Sequence, residues 1–476
     1  MRKYCQLLGL FGATFFVLGC SRPNNSKELI IREKPNIIFI MADDLGWGDV
    51  GYNGQSKIKT PTIDMLAKEG MIFNRMYAAS PVCGPSRASL LTGLHTGHGE
   101  VRGNPKWSLS GNPVDFNPQH NTLGEIMKKA GYHTGIIGKW GLAENLAETV
   151  PNKQGFDYFY GFNRHIPAHH YYPEEIWEND ILMVLEQNDT ELKTGDHVQE
   201  LFTTKALDFI SGHDEKPFFL YLAYTTPHYE LTIPNQYKIQ YDTLGWPLRE
   251  MKSGHYYNDK NGHVTYASMV SKMDADISRL IDQLKSTGQY ENTLIIFTSD
   301  NGHEYDNLKD EFFDSNGPYR GKKRDLYDGG IHMPFLAHWP DRISGGKKTA
   351  HLAAFWDVKA TLGALVGIEL IEPTDGISFL PTLLGEANQT EHDYLYWEFN
   401  EKQGPVQAIV KDQWKLIRTV ENDQYKLYNL QTNPGESQNV IDQYPDIFEL
   451  MNAALLSERT SHDQFPLTRR PDPWKK

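Results

Sequence analysis

Cysteine is almost absent from this chain. Of 476 residues only Cys5, Cys20 and Cys83 are cysteines, too few to staple a fold with disulfides. Positive charge is also in deficit. Lys and Arg number 47 against 61 Asp and Glu, a net charge of −14, which argues against general nucleic-acid binding. It does not exclude a small anionic substrate, because one pocket can be locally basic. No internal repeat or low-complexity segment is present. The apolar run from Leu7 to Leu18 is too short to cross a bilayer.

That short run has a different reading. Arg2 and Lys3 precede it, and it ends in Val17-Leu18-Gly19-Cys20. A positive start, an apolar centre and a small residue before cysteine read as a secretory signal, and the ending resembles a bacterial lipobox. Residues 1–19 are then expected to be a signal peptide handled by lipoprotein-processing machinery. Cys20 would be lipidated, and residues 20–34 would form a polar tether. The expected location is a bacterial outer membrane, reached through the lipid anchor only, since several acyl chains anchor stably where one is marginal. Cys83 is then the only free thiol of an exported protein, and it has no disulfide partner.

The remaining chain of about 450 residues exceeds a usual single core, so a large domain with a smaller one is expected. Asn36–Met41, His133–Ile137, Pro217–Tyr224 and Thr293–Thr298 read as buried strands. Helix-like stretches lie between them, at Thr60–Glu69, Thr122–Ala130 and Ser268–Leu284. The alternation predicts an α/β fold with a large, mostly parallel sheet flanked by helices. After about residue 390 the texture changes to short strands and turns. This predicts a smaller C-terminal domain with an antiparallel sheet and a terminal helix. The expected boundaries are 35–385 and 386–476.

Polar clusters follow each strand: Asp43-Asp44, Lys139, His228, and Asp300-Asn301. Ligands of open α/β sheets bind at that edge. Asp43, Asp44, Asp300 and Asn301 offer only oxygen, which suits Ca²⁺ or Mg²⁺. A single Asp after a strand is ordinarily a helix cap; two acidic pairs at two strand exits favour a metal. Cys83 precedes Pro85, and Ser86–Leu91 reads as helix with Gly93 as its stop. Cys83 is therefore expected at a helix N-terminus, where anions are attracted. Arg87 lies one turn on, and Lys139, His228 and Lys323 can converge there from other segments.

Cys83-Gly84-Pro85-Ser86-Arg87, followed by Leu91-Thr92-Gly93, resembles the signature C-x-P-S-R of the formylglycine-dependent sulfatases. "PNIIFIMADDLGWGDVGYNG", "GYHTGIIGKWGL", "AYTTPH", "TSDNG" and "RGKKRDLYDGGIHMP" are similar to further segments of that family, in its order. "DGISFLPTLLG" and "LYNLQTNPGESQN" match its late landmarks. The resemblance covers essentially all of the chain after residue 34 and implies an alkaline-phosphatase-like fold. It implies that a maturation enzyme oxidises Cys83 to formylglycine. Its hydrate attacks the sulfur of a sulfate ester, the alcohol leaves, and a second hydroxyl then expels sulfate. By the same resemblance Asp43, Asp44, Asp300 and Asn301 hold Ca²⁺ with an oxygen of modified Cys83. Arg87 orients the nucleophile, Lys139 and Lys323 contact nucleophile and sulfate, and His228 protonates the leaving oxygen. Lys323 is preferred to Lys322 for its spacing to Tyr327.

One departure stands out. Many sulfatases have a histidine after Gly-Lys-Trp, thought to assist sulfate release; this chain has Gly141. The segment "GFDYFYGFNRHIPAHHYYPEEIW" resembles a Gly-Lys-Trp-Gly subgroup acting mostly on sulfated carbohydrates. The expected substrate is a sulfated oligosaccharide or polysaccharide, with Arg102, Asn104, His169 and His170 as candidate sugar contacts. His95 and His98 are the nearest replacements in sequence for the missing histidine. A phosphonate or phosphate ester hydrolase, and a non-catalytic glycan-binding relative, are the alternatives.

Overall fold

Five strands rich in Ile, Phe, Leu and Tyr lie side by side: Thr293–Ser299, Asn36–Ala42, Phe218–Ala223, His133–Lys139 and Tyr158–Phe162. Each neighbouring pair is parallel. Parallel neighbours need long crossovers, and helices supply them. Covered on both faces, the strands are buried along nearly their whole length, which is why they read as continuous apolar runs rather than alternating ones. The computed structural model describes residues 34–116, 118–144, 149–213, 216–249, 256–257, 259–305, 312–470 and 472–473. Cys5, the expected signal peptide and Cys20, and all of the tether but Lys34, lie outside the described residues.

The whole sheet has ten strands and is antiparallel only toward its margins. Phe335–His338 runs antiparallel to both Thr293–Ser299 and Met71–Phe73, and parallel Lys347–Thr349 closes that side. On the other side Glu175–Glu178 runs antiparallel to Tyr158–Phe162, and Ile181–Val184 returns beside it as a hairpin. Helices Pro61–Glu69, Leu123–Lys129, Val198–Ser211 and Gly262–Ser286 connect the strands. Leu123–Lys129 starts in a reciprocal cap. The Thr122 hydroxyl accepts from Glu125 N–H at 3.2 Å, and the Glu125 carboxylate accepts from Thr122 N–H at 2.8 Å. The long helix begins at Gly262 rather than at the expected Ser268. A Cβ on Gly262 would lie 2.5 Å from the carbonyl oxygen of Arg249, so glycine lets the helix start against that backbone.

The C-terminal region forms a second sheet. Leu395–Glu401, Gly404–Lys411, Trp414–Thr419 and Gln424–Asn429 pair antiparallel in chain order. Tyr396, Ile409, Leu416 and Leu427 pack with Met451 and Leu455 of the helix Pro445–Ser457. Polar anchors tie this sheet to the preceding chain. Trp397 Nε1 donates to the Ala78 carbonyl at 2.9 Å. Lys415, fully buried, lies 2.6 Å from Asp328 and 3.0 Å from Glu436, both also buried.

Lys415→Met keeps the stem and removes the charge, leaving two carboxylates facing each other in a dry site. Removing one partner of a buried pair costs about 3–5 kcal/mol. Equilibrium urea unfolding should show that loss. A change within the range of an exposed pair, about 0–1 kcal/mol, would show that this contact does not hold the two regions together.

Candidate active site

Each of the five parallel strands presents a polar group at its carboxyl end. Asp300 and Asn301 follow Ser299, Asp43 and Asp44 follow Ala42, and His228 lies in the loop after Ala223. Lys139 ends its own strand, and His165 lies just past Phe162. A helix, Cys83–Thr92, points its first residue at them. Val82 is extended before it, and Gly93, at φ +74°, closes it with a bond from its N–H to Ser89. The helix is buried from Cys83 through Leu91, and Ser86 Oγ donates to the Asp300 carbonyl at 2.6 Å.

Three ion pairs organise the cluster. Lys139 Nζ is 2.7 Å from Asp43 Oδ2, and Lys323 Nζ is 2.6 Å from Asp44 Oδ2. Arg87 donates twice to Asp300 Oδ2, from Nε at 2.9 Å and Nη2 at 2.7 Å. Arg87 also donates to the Lys139 carbonyl at 3.1 Å, so the guanidinium ties the helix to two strands. Lys323 reaches Glu304 at 3.0 Å as well. Asp44, at φ +64°, turns its N–H to Asp300 Oδ1 at 3.1 Å and accepts from Asn301 Nδ2 at 2.7 Å.

Burial works against ionisation of Asp43, yet Lys139, His228, Arg87 and Lys323 together hold it well below the ordinary carboxylate range. Burial pushes Asp44 up to about 7; Asp43, Glu304 and Asp300 add to the rise, and Lys323 opposes it. The Cys83 thiol is pushed up to about 11 by burial, against the pull of Lys139 and Lys323. At neutral pH it stays protonated and is a poor nucleophile. His228 is held well below its usual value by burial and by Lys323. His165 is held down by burial and by Lys139, and His169 by burial and by His228.

The acidic cluster can hold a metal. Asp43 Oδ1 and Asn301 Oδ1 are buried without a hydrogen-bond partner among the described residues. They come from neighbouring strand exits, and Asp44 and Asp300 add carboxylates beside them. Ligand atoms of Asp43, Cys83 and Asp300 lie within 4.8 Å of one another, as do those of Asp43, Asp44 and His228. The donors are predominantly oxygen, the set a hard divalent cation prefers.

The other expected residues divide. Asn104 Oδ1 lies 3.9 Å from Cys83 Sγ and accepts from Gly84 N–H at 3.0 Å. His169 stacks on His228 with ring centroids 3.9 Å apart, and its Nδ1 is 2.6 Å from the Tyr256 hydroxyl. His170 is half-buried against Glu230. Arg102, expected as a sugar contact, is only 3% exposed. Its guanidinium bonds Glu398, Thr460 and the Gly99 carbonyl, which makes it an anchor for the C-terminal region. His95 and His98 pair with Asp375 and Glu458 beyond the far end of the signature helix. Their ring nitrogens are taken up by those carboxylates, and the side chains found against Cys83 Sγ are Asn104 and His165. The group that sequence reasoning passed over is His165, with Nε2 3.7 Å from Cys83 Sγ. "FDYFYGF" is a buried strand with a histidine at its exit, the same signal that singled out the other clusters.

Residues 35–368 match the sulfatase family. The chain belongs to that family. Residues 319–461 match the C-terminal region of N-sulphoglucosamine sulphohydrolase. The chain is 31% identical to mouse N-acetylgalactosamine-6-sulfatase, over 86% of this chain and 76% of that one. It is 29% identical to N-acetylgalactosamine-6-O-sulfatase of Bacteroides thetaiotaomicron, over 97% of this chain and all (100%) of that one. Among solved structures, Ps i-CgsB superposes with a TM-score of 0.76 at 28% identity, over 92% of this chain and 95% of that one. The same protein has been solved with a bound neocarrahexaose. Phosphonate monoester hydrolase of Agrobacterium radiobacter, at 19% identity over 92% of this chain and 100% of that one, with a TM-score of 0.65, shares the fold. This sulfatase is thus a sulfuric ester hydrolase with an alkaline-phosphatase-like fold.

The unmodified thiol should not react in the folded protein. Iodoacetamide at pH 8 should leave Cys83 unlabelled in the native protein and label it after denaturation, read by the mass of the peptide that carries it. Rapid labelling of the native state would contradict both the burial and the raised pKa.

Proposed function

We propose that this sulfatase removes sulfate from a sulfated saccharide, using a formylglycine made from Cys83 by a maturation enzyme. The carrying observation is the place of the thiol: it is buried at the head of its helix, beside Lys139, Lys323 and an oxygen-rich acidic cluster that can hold a metal. A thiol so placed is useless as a thiol, and an oxidised one-carbon group at the same position is well placed for attack on sulfur. The formylglycine, once formed, supplies the attacking hydroxyl. Calcium, held by Asp43, Asp44, Asp300, Asn301 and the oxygen on residue 83, would supply Lewis-acid polarisation.

The chain's own residues do the rest. Lys139 and Lys323 neutralise the sulfate oxygens. Arg87 fixes Asp300 and the start of the helix, and so the direction of residue 83. His228 lies 3.4 Å from Lys323 Nζ and 3.5 Å from Asp44, in position for the leaving oxygen. It is neutral in the free site; an arriving anion favours its charged form, so the acid is loaded with the substrate. The saccharide reading is supported by the names of the mouse and Bacteroides relatives and by the oligosaccharide bound to Ps i-CgsB. The loop that carries His165 and His169 also lines an open groove of about 590 Å³ with Arg164, His170 and Trp177. An arginine and an indole in one groove suit an anionic sugar chain.

Co-expression with a maturation enzyme should convert Cys83 to the aldehyde by peptide mass, and the product should release sulfate from members of a panel of sulfated oligosaccharides. Faster turnover of an aryl phosphate would favour the phosphatase reading. Chelation should abolish sulfate release and calcium restore it, and Asp300→Ala should lose metal and activity together. Full activity in chelator would remove the metal from the reaction.

We place the enzyme at a bacterial outer membrane on the lipobox ending at Cys20. No helix among the described residues is long and apolar enough to cross a membrane. Labelled fatty acid should enter the wild-type protein and not Cys20→Ala; an unlabelled wild type would refute the anchor.

A further inference from the structure

Gly141 leaves the space after Lys139-Trp140 without a side chain of its own. That space is occupied. A Cβ on Gly141 would lie 3.4 Å from Cε of Lys139 and 3.7 Å from Nδ1 of His165. The ring of His165 therefore lies in van der Waals contact with the place where a side chain at 141 would begin, although it arrives from the neighbouring strand Tyr158–Phe162. It is 6% exposed. Its backbone N–H donates to Glu144 at 2.8 Å, and its ring packs edge-on against His169. Nε2 faces Cys83 Sγ at 3.7 Å. Nδ1 has no hydrogen-bond partner among the described residues.

The surroundings of residue 83 narrow the choice of base. Lys139 and Lys323 are ammonium groups paired with Asp43 and Asp44. Arg87 is held by Asp300. Asn104 touches Sγ with an amide oxygen, which has no useful basicity. His228 stands at the Lys323 and Asp44 edge. Among the described residues His165 alone brings a basic ring nitrogen within hydrogen-bonding reach of Sγ.

We propose that His165 is the proton acceptor at residue 83 in the sulfate-releasing half of the reaction, filling from another strand the place that Gly141 leaves open. This rests on the sulfatase mechanism proposed above. A proton passes from the hydroxyl on residue 83 to Nε2 of His165. The O–H electron pair closes the carbon–oxygen double bond, the carbon–oxygen bond to sulfate breaks, and sulfate departs with that bond's electrons. No further reactant is required. Gly141 and His165 belong together in this reading, since a side chain at 141 would start in contact with the ring.

The test uses matured, calcium-loaded enzyme. His165→Gly should form one equivalent of alcohol quickly and then slow about 10²–10⁴-fold, the usual cost of a lost general base. Intact-protein mass should show sulfate retained on the peptide carrying residue 83. Imidazole in the buffer should restore sulfate release and clear that mass. His165→Asn, closer in shape, should retain sulfate in the same way at an unchanged melting temperature. Wild-type turnover in a folded variant overturns the proposal. So does equal slowing of alcohol and sulfate with nothing retained. If the wild type yields neither alcohol nor sulfate from any sulfated saccharide, the parent mechanism falls first, and the proposal with it.

Discussion

Charge balance in a dry volume governs this structure. Asp43, Asp44 and Asp300 sit at strand ends with essentially no access to water. An isolated carboxylate in such a place would be very costly. Lys139, Lys323 and Arg87 each answer one of them at 2.6–2.7 Å. Every pair joins different parts of the chain: strand to strand, strand to signature helix, strand to the segment before the C-terminal sheet. Slipping a strand by one residue would turn these groups to the opposite face and leave buried charges unmatched. The same requirement that makes the site reactive therefore fixes the register of the sheet beneath it.

The C-terminal sheet belongs to this arrangement. Lys415 and Glu436 grip Asp328, five residues after Lys323. Glu401 accepts from the N–H of Asn104, whose side chain touches Cys83. Arg102 binds Glu398. The loops that aim Lys323 and Asn104 are thus braced from behind by a sheet that contributes none of the reactive groups. Removing that brace would loosen the site without touching a reacting atom.

The central strands were legible because burial on both faces leaves an unbroken apolar run. The acidic cluster was legible because acidic neighbours at the exit of such a run repel one another unless a cation can sit among them. The Cys83 helix announced itself through its prolines and its terminal glycine. What escaped was set by distance in sequence. Arg102 looks like a free loop arginine until Glu398, some three hundred residues later, closes on it. His95 and His98 are near Cys83 along the chain, but Glu458 and Asp375 hold their rings. His165 is eighty-two residues away and meets Cys83 only because two strands pair in parallel. Sequence proximity misled for the first pair, and topology decided for the second.

The signature helix is enclosed from Cys83 through Leu91, and this imposes an order of events on the life of the molecule. Cys83, Pro85, Ser86 and Arg87 are all out of reach of any second protein once the chain has folded. On the maturation proposed above, conversion of Cys83 would come before the sheet closes over it, in the interval between synthesis and folding. Folding acts as a deadline. Molecules that missed it would be sealed with a thiol, correctly shaped and inert, and the active fraction of a preparation would record a race between two rates rather than an equilibrium.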